Sequence, residues 1–118
     1  MQEIVLSLSD EQILSKHFTG LYQGSGASSI PGGQTAADRA LADLDIRGYA
    51  AKRSEVLPES ARGASVLSPY IRHNLLTLRQ VWDRVEDAPS KDKEKFRDEL
   101  LWQEYARHLY ARVGRRMF

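Results

Sequence analysis

At 118 residues, 42% hydrophobic and 28% charged, the chain has the length and composition of one ordinary globular domain with a modest core. A net charge of +1 gives no overall basic field for nucleic acid, although local clusters still could. The absence of cysteine excludes disulfides, iron–sulfur clusters and thiolate zinc sites. No apolar run approaches the roughly 18–20 residues of a membrane span. The N-terminus lacks the basic start and apolar core of a signal peptide, so the cytoplasm is the expected compartment and no membrane partner is expected.

Residues 1–8 alternate only weakly. Ser9-Asp10-Glu11-Gln12 then reads as a capping box. It opens a short helix whose stripe of Ile13, Leu14, Phe18, Leu21 and Tyr22 runs to Gly24. Residues 23–34 (QGSGASSIPGGQ) are rich in Gly and Ser and read as a linker. The division expected is therefore residues 1–30, a helix plus linker, and 31–118, a helical domain. Thr35, with Asp38 three positions later, is expected to cap a second helix. Its small-residue face of Ala36, Ala37, Ala40 and Leu41 continues through Leu44 and Ile46 until Gly48 ends or interrupts it.

Residues 63–70 read Gly-Ala-Ser-Val-Leu-Ser-Pro-Tyr. Ser68 suits an N-cap and Pro69 the first helical position. A loop feeding a helix start would bring free backbone N–H groups and the Ser65 hydroxyl to one spot, which suits a phosphate. Tyr70, Ile71 and Leu75 follow. Thr77 is placed to cap a helix holding Leu78, Val81, Trp82 and Val85, stopped by Asp87-Ala88-Pro89.

Ser90 is expected to cap the longest helix, ending at Gly114 after Val113. At about 100° per residue, Trp102, Tyr105, Ala106, Leu109, Tyr110 and Val113 share one arc, the expected apolar face. Glu99 falls in that arc. A carboxylate there needs a cationic partner or lines a pocket, because burial without a partner raises its pKa. His17, His73 and His108 show no metal-ligand spacing. Arg107, Arg112, Arg115 and Arg116 form either a solvated face or a strip for a DNA backbone. Every segment reads as helix or loop, so the fold class is all-α.

Three segments occur in order: GGQTAADRALADLDIRGYAAKR (Gly32–Arg53), GASVLSPYIRHNLLTLRQV (Gly63–Val81) and FRDELLWQEYARHL (Phe96–Leu109). Together they resemble the first half of the helical FAD-binding domain of the DNA photolyase/cryptochrome family, over about residues 30–112. That family shows Gly-Gly-Glu before a helix, a Tyr shortly before an Arg, Gly-Thr-Ser-x-Leu-Ser-Pro-Tyr, and Glu-Leu-x-Trp-Arg. The resemblance implies that Tyr49 and the loop of Ala64, Ser65, Val66, Leu67 and Ser68 hold the FAD diphosphate, with Phe96 beside the flavin. It implies that Arg53 touches the DNA backbone. Glu99 would hydrogen-bond a damaged pyrimidine pair and Trp102 would stack on a flipped thymine, with Gln103 close to flavin or substrate. Phe96, Glu99 and Trp102, three apart on one helix, are expected to face one cavity.

The implied activity is that of a deoxyribodipyrimidine photolyase-like lyase acting on UV-damaged DNA. Four positions depart from the family pattern: Gln34 for Glu, Ala64 for Thr, Val66 for a frequent Arg, and Gln103 for Arg. These departures equally suit a cryptochrome-type photoreceptor or a helical interaction domain that has lost FAD. No antenna domain and no second helical half is recognisable, and Trp82 and Trp102 alone cannot build a chain of three tryptophans. The chain is thus expected to be a fragment of a helical bundle. It would not bind FAD tightly by itself, and a homodimer through the apolar surface left uncovered is a further expectation.

Overall fold

The structure is a computed structural model and describes residues 7–21, 23, 28–58, 60 and 62–117. Every regular element among them is helical, and no strand occurs among them. The chain divides into two compact units, Met1–Pro31 and Gly32–Phe118. Among the described residues no helix is long and apolar enough to cross a membrane.

The first unit holds α1, Asp10–His17. Its capping box forms as the sequence indicates: the Gln12 N–H donates to Ser9 Oγ (3.3 Å) and the Ser9 N–H to Gln12 Oε1 (2.9 Å). The helix stops at His17, earlier than its apolar stripe suggests, with Gly20 at φ 82°. Leu21, in the expected stripe, is exposed. Tyr22, Gly24 and the weakly alternating residues 1–6 lie outside the described residues.

In the second unit α2 spans Gln34–Ala42 and α3 Tyr49–Lys52. The α2 start differs from the expected Thr35 cap. Gly33, at φ 91°, is the N-cap, and Thr35 lies inside the helix. Gln34 explains the shift: its side-chain amide donates to Asp38 Oδ1 (2.7 Å) and to the Leu75 carbonyl (2.9 Å), pinning the first turn to a distant loop. Beyond α2 the chain is irregular, yet Leu44 and Ile46 are buried in it.

Next come α4, Ser68–Arg72, and α5, Leu78–Arg84. Thr77 caps α5 in a full capping box, with Thr77 N–H donating to Gln80 Oε1 (2.8 Å) and Gln80 N–H to Thr77 Oγ1 (3.2 Å). The α6 helix, Ser90–Val113, is followed by Gly114 at φ 55°, which opens a short 3₁₀ turn, Gly114–Met117. Pro89, not Ser90, holds the N-cap position.

In this unit α3 packs on α6, and α2 on α5. Ala37, Leu67, Tyr70, Leu76, Val81 and Phe96 belong to the buried core. Arg84 joins α5 to the end of α2, donating to the carbonyls of Leu41 (3.1 Å) and Ala42 (2.7 Å) in its last turn. Arg97 stacks over the Trp82 ring at 4.4 Å and donates to the Trp82 carbonyl (2.9 Å) and Glu86 (2.6 Å).

The start of α3 is capped from α6. Gly48, at φ 80°, turns the chain, and the N–H groups of Gly48 and Ala50 donate to Asp92 Oδ2 and Oδ1, both at 2.9 Å. These bonds, that to Ala50 first, hold the Asp92 carboxyl below its usual pKa. A depressed folded-state pKa means that the unfolded chain binds the proton more readily. The stabilisation is therefore present above the ordinary carboxylate pKa and is lost as pH falls through the folded value. Asp92→Asn is expected to lower the melting temperature by several degrees at pH 7 and to match the parent chain once Asp92 is protonated. Thermal melts of both proteins from pH 7 to pH 2 check this. A difference that stays constant with pH would contradict the capping role.

Candidate groove between alpha4 and alpha6

Short elements at both ends position the groove. At its narrow end the Asp92 cap fixes Tyr49, whose ring meets Phe96 edge-on (centroids 5.0 Å apart, planes at 78°). Ser65 and Leu67 enter from the loop before α4, Ser68 from the first position of α4, and Glu99, Leu100 and Gln103 from α6. This end encloses about 160 Å³. Ser68, Ile71 and Gln103 also line a wider hollow of about 920 Å³, completed by Pro69, Arg72, His73, Ala106, Arg107 and Tyr110. The two hollows share these three residues and adjoin along α6, and together are called the groove.

The loop is held by a close approach. Gly63 donates its N–H to the Glu55 carbonyl (2.8 Å), and its Cα lies against the Lys52 backbone with no room for a side chain. Val66 adopts φ 55°, a left-handed conformation that a β-branched residue occupies only at a cost of about 1–3 kcal/mol. Strain of that kind is concentrated at ligand-binding sites.

The phosphate-site expectation changes in one respect. Ser68 is not an N-cap: Leu67 holds that position and makes no side-chain cap, while Ser68 and Pro69 open the helix. With only five residues, α4 also carries a small dipole. The polar groups at the groove are then hydroxyls and cations more than a helix end.

Glu99 has both a partner and a hollow. Its Oε1 lies 2.9 Å from Lys95 Nζ and 3.3 Å from Arg53 Nε. The Lys95 hydrogen bond, more than the opposing desolvation, holds its pKa below the usual value, so the group is an anion that accepts and does not donate. Arg53 also donates to the Ala50 carbonyl (3.1 Å), so its guanidinium is turned to α3 and Glu99. Burial, then the Glu99 charge, pushes the Tyr49 hydroxyl up and keeps it protonated as a donor.

Of the residues singled out by sequence, Tyr49, Ser65, Leu67, Ser68, Phe96, Glu99 and Gln103 line the narrow end together. Ala64 and Val66 belong to the same loop without lining it. Trp102 does not join them. It is 65% exposed and lines a separate hollow with Asp98, Leu101 and Tyr105. The expected shared cavity fails on helix geometry: three residues turn by about −60°, but six turn by about −120°, which carries Trp102 away from Phe96. The expected apolar face of α6 fails likewise. Its buried residues are Phe96 and Leu100, while Trp102, Tyr105 and Tyr110 are well exposed.

The sequence does not announce Lys95 beside Glu99, nor Arg72 and Arg107 at the rim of the wider hollow. Arg107 stands eleven residues after Phe96, about 20° from it, a spacing that could have placed it on the groove side. Arg112 stands about 160° away, so Arg107 and Arg112 lie on different sides of α6. Among the described residues no group of three His, Asp or Glu side chains is arranged to hold a metal ion. The chain matches no known family profile, no curated protein and no solved structure.

Proposed function

We propose that Gly32–Phe118 is the first half of a helical flavin-binding domain of photolyase/cryptochrome type, whose groove holds FAD for light-driven repair of pyrimidine dimers in DNA. One observation carries this reading. Segments distant in sequence bring two aromatics, two serines and an anionic glutamate to a single narrow hollow. Ser65 and Ser68 would donate to the diphosphate, and Arg72 and Arg107, in the wider hollow, would neutralise it. Tyr49 and Phe96 offer ring faces and edges to an aromatic ligand. Glu99 would accept N–H groups of the flavin or of a flipped pyrimidine. FAD, when bound, supplies the light-driven electron; these side chains hold and orient the partners and limit water.

Size favours weak binding. The narrow end lies below the roughly 300–1,000 Å³ of ordinary ligand clefts, so a dinucleotide must run into the wide, open end. The chain is expected to purify colourless and to bind added FAD with a dissociation constant on the order of 10⁻⁴ M. Quenching of flavin fluorescence measures it. ADP should compete, and riboflavin, lacking phosphates, should bind several-fold more weakly. No binding at millimolar FAD would overturn the flavin reading.

A second reading, a flavin photoreceptor or a scaffold without repair activity, is favoured by the position of Trp102 outside the groove. Titration with a thymine-dimer duplex separates the two. A preference over undamaged duplex that is lost in Glu99→Ala supports repair; equal affinity supports the second reading.

A further inference from the structure

The α6 face opposite Phe96 is built as a seam. Tyr105, nine residues on, lies about 180° round the helix from Phe96. Within about 60° of Tyr105 fall Glu94, Asp98, Leu101, Trp102, Leu109 and Arg112, all on the exposed side. Leu101, Trp102 and Tyr105 are each more than half exposed. Three large apolar side chains grouped on one face of a long helix are more than the scattered exposure of an ordinary surface.

The arrangement is specific. Asp98, Leu101, Trp102 and Tyr105 line a shallow, open hollow of about 340 Å³. Their spacing, i, i+3, i+4 and i+7, is that of the hole which receives one side chain of a facing helix in a coiled coil. The Trp102 and Tyr105 rings meet at 88° with centroids 5.7 Å apart and form one wall. One turn beyond Tyr105 stands Leu109, on the same face. Along the strip Lys91 comes first, then the acidic Glu94 and Asp98, and the basic Arg112 stands at its end. The side chains of Asp98 and Arg112 make no ion pair or hydrogen bond among the described residues.

We propose that two copies of this chain pair antiparallel through this α6 face, Leu109 of each entering the Asp98–Leu101–Trp102–Tyr105 hole of the other. A two-fold axis through Tyr105 sets Tyr105 against its equivalent, Leu101 against Leu109 and Asp98 against Arg112. Two otherwise unpaired charges of each copy are thereby matched. Parallel pairing would set Asp98 beside Asp98 and Arg112 beside Arg112, and is disfavoured. A net charge of +1 adds little repulsion between copies. This pairing is independent of the flavin reading, because the groove lies on the other side of α6.

Sedimentation of the full chain from micromolar to several hundred micromolar tests it. A monomer–dimer equilibrium with a dissociation constant on the order of 10–100 µM is expected, weakening as salt rises. Leu109→Asp, Asp98→Arg and Arg112→Asp should each weaken it roughly tenfold or more while circular dichroism stays unchanged, since all three sites are exposed. An equal mixture of Asp98→Arg and Arg112→Asp should associate again, because each then supplies the charge that the other lacks. A chain that stays monomeric throughout would overturn the proposal. So would a dimer indifferent to Leu109→Asp, or a mixture that fails to recover.

Discussion

Gly63→Ala is expected to remove about 3 kcal/mol or more from the stability of the Gly32–Phe118 unit. A Cβ at this position would stand 1.9 Å from the Lys52 carbonyl oxygen, 2.4 Å from its carbon and 2.8 Å from Lys52 Cβ. Two of these atoms are backbone, so no rotamer change relieves the contact and either α3 or the loop must move. Overpacking of this kind costs about 1–3 kcal/mol, and more where backbone is involved. Small domains hold only about 0.05–0.15 kcal/mol per residue in total. The same displacement would separate Ser65 and Ser68 from Tyr49 and open the groove. Urea denaturation monitored by circular dichroism reads the effect. A variant within about 0.5 kcal/mol of the parent chain would contradict the close approach.

Phe96→Ala should be costlier still, about 3–5 kcal/mol. Phe96 is 2% exposed, and its ring supports Tyr49 across the α3–α6 contact. Truncation loses the transfer energy of the ring, leaves a cavity, and forfeits the edge-on aromatic contact, itself worth about 0.5–1.5 kcal/mol. Phe96→Leu keeps much of the volume and should cost less than half as much. It also separates packing from binding, because a folded Phe96→Leu protein that still binds FAD at parental strength would show that the ring does not touch the ligand.

What was legible in the sequence is what short-range chemistry decides. The capping boxes at Ser9 and Thr77, the stop at Pro89 and the glycine after Val113 each depend on residues within one turn. Each appears where its pattern indicates. The features that were not legible depend on partners far along the chain. Gln34 reaches the Leu75 carbonyl, 41 residues away, and so moves the start of α2. Asp92 caps α3 across 42 and 44 residues. No local pattern announces either bond.

The groove divides the same way. Glu99 stood out as a carboxylate that needed a partner or a hollow, and it has both. Trp102 is placed by the apolar arc and by the family resemblance, and neither says which side of α6 the rest of the unit covers. The buried side follows Phe96 and Leu100, which pack where α3 and the loop before α4 arrive. The apolar arc through Trp102 and Tyr105 is left facing outward, which is why it invites a second helix.

The most direct test of the groove is a ¹⁵N-resolved NMR titration of the chain with FAD. Shifts are expected at Tyr49, Ser65, Val66, Ser68, Phe96, Glu99 and Gln103, extending to Arg72 and Arg107 as the diphosphate engages, with Leu101 and Tyr105 silent. Shifts confined to the Leu101–Tyr105 face, or none at saturating FAD, would contradict the flavin reading of the groove.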